Sequence, residues 1–322
     1  MIRTTGFWEK EKKAPLLNLE NNFMQKDVEA VVARAKTWPS LIDGLESVAQ
    51  DQYKEQLEQQ TEIDRIFIHD AERTFSDDGN RKKLMTILSY LTKEFGDYHQ
   101  GLSYVTSFLL LTLDEATVIN ILKNLNASEK YTKGYWKSQS VKSATDGYVF
   151  EDLMKVHVPE VYAHLKKHFI QPDTYCQKWF VSLCVHVLPF EALFNFYEKY
   201  LKEGNVFLYR FALSLVKNMK SEILGTNDVS TLYAYLRLDA KYVSEQKALD
   251  IVKSADDFDL TGLDVEKARQ DAFDTHLKAR LEEAARRQTE LANESEDEIT
   301  DYSTSDDEDE DDIVKKVDGL KI

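Results

Sequence analysis

With 322 residues, 43% of them hydrophobic, the chain is long enough for one large core or two smaller ones. Eleven glycines and five prolines are too few to punctuate many short strands, which argues against a sandwich or barrel. The net charge of −16 is uneven: residues 294–312 hold twelve acids and no base, leaving −4 for the rest, and no basic stripe for nucleic acid occurs.

Residues 1–33 read as an N-terminal extension, whose opening MIRTTGFWEKEKKAP lacks an apolar run of signal-peptide length. From about Val28 to Lys253 the apolar residues recur at helical spacing. RKKLMTILSYL places Leu84, Ile87, Leu88 and Leu91 on one stripe, and EATVINILKNL does so with Val118, Ile121, Leu122 and Leu125. Residues 127–149, rich in Ser, Lys, Gly and Tyr, have no period and read as a long connection. It would separate two helical halves, about 34–126 and 150–255. Helical runs resume with FEDLMKV, PEVYAHLKKHF, QKWFVSLCVHVL, FEALFNFYEKYL, VFLYRFALSLVKNM and STLYAYLRL, and the prolines fall between them. No segment alternates like a strand, so the expected fold is all-α. Residues 256–293 predict a charged, solvated helix with a thin stripe of Phe273, Leu277, Leu281 and Leu291. Residues 294–322 predict an acidic disordered tail.

The longest nearly uncharged apolar stretches, YVTSFLLLTL and WFVSLCVHVLPF, fall short of the roughly 20 residues of a membrane span. Cys176 and Cys184 are too few for a disulfide framework and read as buried thiols of a reducing compartment. The expectation is a soluble, cytoplasmic protein.

Conventional chemistry is hard to find. GDYHQGLS has the glycine spacing of a phosphate loop, but Leu102 and Ser103 stand where Lys-Ser is needed. His164 and His168 are four apart in HLKKH without a third ligand, which points to two half-exposed histidines rather than a metal site. Neither cysteine lies in a nucleophile motif, and no G-x-S-x-G occurs. No cofactor or metal is expected in the chain itself.

Two short stretches remain, FIHDAERTF with Asp70 and Arg73, and YHQG with Tyr98, Gln100 and Gly101. Taken singly, Asp70 and Arg73 are an ordinary i, i+3 helix pair, and Gln100 is a polar residue beside a packing glycine. Together an arginine and a glutamine form a usable kit for hydrolysing a nucleotide held by another protein. A guanidinium offers permanent charge and forked donors to the phosphoryl oxygens. A carboxamide can accept from the attacking water and donate to phosphate at once.

In order along the chain, these residues resemble the TBC family of Rab GTPase-activating proteins. The family's R-x-x-x-W-x-x-L is met by Arg34, Trp38 and Leu41, and its following tyrosine by Tyr53. Its I-x-x-D-x-x-R-T-F-P is met by Asp70, Arg73, Thr74 and Phe75, with Phe67 and Ser76 departing. Its G-Y-x-Q-G-M is met by Tyr98, Gln100 and Gly101, with Asp97 and Leu102 departing. Downstream, Trp179, Phe180, Leu188, Pro189, Gly204, Arg210, Ala212 and Leu213 continue the likeness, which covers roughly residues 34–255.

The resemblance implies two packed helical subdomains with catalytic fingers on loops of the N-terminal one. It implies Arg73 and Gln100 as those fingers, with Asp70, Tyr98 and Gly101 in support. The chain would then complete the active site of a GTP-bound Rab-family GTPase, to which GTP and Mg2+ belong, working near endomembranes reached through its partners. The alternative expectation is a catalytically silent TBC-like adaptor that binds a GTPase or another trafficking protein. Trp38, Trp136, Trp179 and the cluster Phe190, Phe194, Phe196 and Tyr197 are expected in the core, and Arg210 in a structural ion pair.

Overall fold

A computed structural model describes residues 28–137, 141–185, 187–239 and 242–301, with side chains as far as residue 289. Among the described residues all regular structure is helical and no strand occurs, as the spacing of apolar residues predicts. Residues up to Phe273 form one compact unit, and those from Asp274 onward a second.

In the first unit the chain begins with α1 (Val28–Ala35) and a 3-10 turn at Trp38–Leu41. Then come α2 (Lys54–Glu58), α3 (Arg65–Thr74), α4 (Asp78–Phe95), α5 (Gln100–Leu110) and α6 (Glu115–Ala127). Aspartates start several of these helices by accepting an orphan backbone N–H: Asp64 from Ile66, Asp77 from Asn80 and Asp114 from Thr117. The two stripes read from the sequence are fully buried on α4 and α6. Each such leucine or isoleucine contributes about 1.5–3 kcal/mol. α4 is the hub of this half, packing on α3, α5 and α6.

The second half holds α7 (Val141–His157), α8 (Pro159–Lys167), α9 (Gln177–Phe180), α10 (Phe190–Glu203) and α11 (Asn205–Asn218). It continues through α12 (Lys220–Leu224), α13 (Val229–Leu236), α14 (Glu245–Ser254) and α15 (Val265–Ala272). α11 is central, packing on α7, α10 and α14. Gly204, between α10 and α11, has φ +68°, and a Cβ there would lie 2.1 Å from the Lys130 carbonyl oxygen. That carbonyl accepts the Asn205 N–H, so only glycine serves.

Side chains from both halves share the core. Arg34 on α1 donates to Glu198, Glu191 and Asn195 of α10. Trp38 packs with its ring centroid 4.8 Å from Phe194 and 5.8 Å from Phe108. All three tryptophans named above and the Phe190–Tyr197 cluster are buried. Arg210 pairs with Glu203. Cys176 and Cys184 are buried free thiols, and burial raises the pKa of both well above the ordinary range.

Three boundaries differ from the sequence reading. α7 starts at Val141, inside the stretch expected to be a connection up to 149. Its middle is buried on every side, through Ser143, Thr145, Asp146, Gly147, Tyr148, Val149, Phe150 and Glu151, so that stretch has no amphipathic stripe to read. Next, residues 256–293 are not one solvated helix. α15 packs on α7, and its Arg269 donates to both oxygens of the buried Asp146 at 2.7 and 2.9 Å. Last, in the second unit α16 (Lys278–Asp301) carries its helix eight residues into the expected tail. Its side chains from Lys278 to Thr289 are exposed and linked by i, i+4 pairs such as Arg287 with Glu283. The rest of the expected tail, 302–322, and the extension before Val28 lie outside the described residues.

Candidate functional site

Arg73 stands in the last turn of α3 and Gln100 is the first residue of α5, so both occupy helix ends rather than the loops that the resemblance implies. Between them lies Asp70, one turn before Arg73 and 3% exposed. Its Oδ1 accepts from Arg73 Nη2 and, at 3.2 Å, from Gln100 Nε2. Its Oδ2 accepts the Tyr98 hydroxyl. One buried carboxylate thus gathers a guanidinium from α3, a carboxamide from α5 and a phenol from the turn that leads into α5. Three donors occupy its two oxygens, so it stays satisfied despite burial.

Each donor is aimed by its own surroundings. Arg73 also donates Nε to the His69 carbonyl at 3.2 Å, yet its side chain is 58% exposed and open to an incoming group. Tyr98 stacks edge-on against Phe67, with centroids 5.0 Å apart, so the departure at Phe67 supplies the wall on which Tyr98 rests. Burial, reinforced by the bond to Asp70, raises the pKa of the Tyr98 hydroxyl far above that of an ordinary phenol, and it remains a donor. The departure at Asp97 is a backbone device. Its carboxylate accepts the Tyr98 N–H at 2.7 Å, just after Gly96 ends α4 in the left-handed region.

His99 caps α5: its Nδ1 accepts the Gly101 N–H at 2.9 Å. A ring nitrogen can do this only when unprotonated. Burial lowers the His99 pKa, outweighing the opposing pull of Asp97. Gly101 is pressed against the residue after α9. A Cβ there would lie 2.7 Å from Val181 Cγ1 and 2.9 Å from its carbonyl oxygen. That carbonyl also accepts from Trp136 Nε1 at 3.1 Å.

Asp70, Arg73, Gln100, Tyr104 and Lys178 line a cavity of about 400 Å³. A larger one, about 1000 Å³, opens beside Tyr53, Leu57 and Met85, but neither Arg73 nor Gln100 borders it. Chemically the smaller cavity presents an exposed guanidinium and a carboxamide side by side, both on one carboxylate oxygen. Both could exchange that oxygen for one on an anionic ligand.

All five predicted site residues are therefore brought together: Asp70, Arg73, Tyr98 and Gln100 by direct bonds, and Gly101 by its place behind Gln100. Sequence reasoning missed His99, Lys178 and Val181. A histidine is a rare helix cap, and the other two come from a distant segment with no local signal. His164 and His168, set aside earlier, bond the Thr226 carbonyl at 2.8 Å and the Asn227 side chain at 3.1 Å. Among the described residues no helix is long and apolar enough to cross a membrane.

The sequence profile of the Rab-GTPase-TBC domain matches residues 32–224. A TBC domain-containing protein of Schizosaccharomyces pombe is 29% identical over 140 residues, 43% of this chain and 18% of its own length. Growth hormone-regulated TBC protein 6 of Caenorhabditis elegans is 26% identical over 245 residues, 72% of this chain and 71% of its own. Among solved structures, the Chlamydomonas flagellar RabGAP TBC domain superposes with a TM-score of 0.57 at 15% identity, over 72% of this chain and 80% of that one. At that identity the superposition speaks for the fold alone. The profile match covers more than half the chain, and with it the sites of Asp70, Arg73 and Gln100: this protein belongs to the Rab-GTPase-TBC domain family.

Proposed function

We propose that the chain docks on a GTP-bound Rab-family GTPase and supplies Arg73 and Gln100 in trans to the nucleotide. The observation that carries this reading is the pairing of an exposed guanidinium and a carboxamide on one oxygen of Asp70, at the mouth of a cavity. GTP and its Mg2+ belong to the partner.

In this reading water attacks the γ-phosphorus and the bond to the β–γ bridging oxygen breaks, leaving GDP. Charge grows on the bridging and γ-phosphoryl oxygens, and Arg73 trades Asp70 for those oxygens. Such a residue is worth roughly 10³–10⁵ in rate, about 4–7 kcal/mol of barrier. Gln100 makes the same exchange, accepting from the water while donating to phosphate. Asp70 holds both groups extended beforehand, which reduces the ordering cost at the moment of reaction. The work would be done in the cytoplasm, at endomembranes where the partner resides.

The test is single-turnover GTP hydrolysis by a panel of Rab-family GTPases, with and without the full chain. Arg73→Ala should cost about 10³-fold in stimulated rate on the responding GTPase. Arg73→Lys should not restore it, because a point charge does not reproduce the fork. Binding of a GTPase without any stimulation would instead identify an adaptor.

A further inference from the structure

We infer that Lys178 is a third contact group of this cavity, taking an anionic oxygen of the docked GTPase–GTP complex. The inference rests on the reading above and adds a residue that the arginine–glutamine pair does not include. Lys178 sits on α9, in the other half of the domain, and faces the cavity shared with Arg73 and Gln100. It is half-buried, yet among the described residues its ammonium has no hydrogen-bonded or ionic partner. Other half-buried lysines do find carboxylates, Lys199 with Asp256 and Lys247 with Glu222. Asp70 is the acid lining this cavity, and its oxygens are taken by Arg73, Gln100 and Tyr98. Among the residues that line it, two cations against one carboxylate leave the cavity net positive, fit for an anion.

The backbone around Lys178 is held at a cost. Leu183 and Cys184 follow α9 with φ of +43° and +60°, a conformation L side chains seldom adopt, and both are fully buried. The turn they make folds back on α9: the Cys184 N–H donates to the Lys178 carbonyl at 3.0 Å, and the Ser182 N–H to that of Gln177 at 3.2 Å. Val181 in the same turn rests on Gly101, beside Gln100. Strain of this kind persists where the surroundings over-determine a geometry. Here it fixes the backbone that carries Lys178 relative to the start of α5, where Gln100 stands.

The anionic oxygen could be a phosphate oxygen of GTP or a carboxylate of the GTPase, and kinetics separates the two. On the responding GTPase, Lys178→Gln should lower stimulated kcat/KM about tenfold and Lys178→Glu about a hundredfold or more, with Lys178→Arg retaining most of it. The thermal midpoint should stay within about a degree in all three, since no internal partner is lost. A fall in kcat, with weaker binding to GDP–aluminium-fluoride-loaded GTPase than wild type shows, assigns the phosphate. A rise in KM alone, with Lys178→Glu rescued by an acid-to-lysine change on the GTPase, assigns the carboxylate. Wild-type kinetics for Lys178→Gln, while Arg73→Ala loses about 10³-fold, would overturn the inference and leave the proposed function standing. So would a loss that arginine does not recover and that travels with a lowered midpoint. If Arg73→Ala has no effect, or no GTPase responds, the reading beneath fails and the inference falls with it.

Discussion

Tyr98 and Asp70, twenty-eight residues apart in the chain, meet through a hydroxyl-to-carboxylate hydrogen bond that ties the entry of α5 to the end of α3. The bond occupies the carboxylate oxygen that Arg73 and Gln100 leave free. Tyr98→Phe keeps the ring on Phe67 but leaves a lone pair of a buried carboxylate unmet. We expect a loss of about 1–3 kcal/mol in unfolding free energy, read by urea titration, and a fall in stimulated hydrolysis as Asp70 loses its orientation. An unchanged denaturation midpoint would show that solvent satisfies Asp70 equally well.

The cap at His99 should make the start of α5 sensitive to acid. Its folded pKa lies below the ordinary 6.5, burial being the chief cause. A group with a depressed folded pKa adds stability above its unfolded value and loses it as pH falls through the folded one. The contribution of His99 should therefore be complete above about pH 6.5 and disappear at lower pH, with the start of α5 and Gln100 loosened. His99→Asn, which caps without titrating, should flatten the stability profile between pH 7 and pH 5 relative to wild type. The same fall in both proteins would assign it to other groups.

Gly101 has no room for a side chain. Gly101→Ala would set a Cβ 2.9 Å from the Val181 carbonyl oxygen, so backbone must move. Overpacking of this kind costs about 1–3 kcal/mol, and the shift falls on Gln100. Both the thermal midpoint and the stimulated rate should drop. Val181→Ala combined with it should recover little, because the backbone clash remains.

Arg269 lies outside residues 32–224, the span of the family profile, yet it closes the domain. It is 11% exposed and meets Asp146, 1% exposed, with the Tyr135 hydroxyl at 3.2 Å. Burial works against its charge, but the Asp146 bonds outweigh this and raise the guanidinium pKa. Arg269→Ala strands Asp146 without its partner, and we expect about 3–5 kcal/mol of destabilisation. A fragment ending at residue 255 should be destabilised at least as much. A chain cut there that melts with the full one would overturn this role for α15.

The sequence by itself determined the class of fold and singled out the arginine and glutamine on which the proposed function rests. Apolar residues at 3.6-residue spacing, as on α4 and α6, leave no other way to bury their stripes, and aspartates before the stripes mark where the helices start. Asp70, Arg73, Tyr98 and Gln100 lie in two short runs with recognisable order, so the sequence alone singles them out. Tertiary structure decided the rest. α7 is buried all round between Ser143 and Glu151 and has no period to betray it, so its first nine residues read as a loop. α15 looked like the start of a solvated helix because its anchor, Arg269, is a charged residue whose aspartate partner lies 123 residues away. Lys178 on α9 and Val181 in the turn after it reach the site from the other half, and no local pattern announces a contact made across the fold. Periodicity records which face of a helix is dry. It does not record which distant side chain meets that face, and this site is assembled from such meetings.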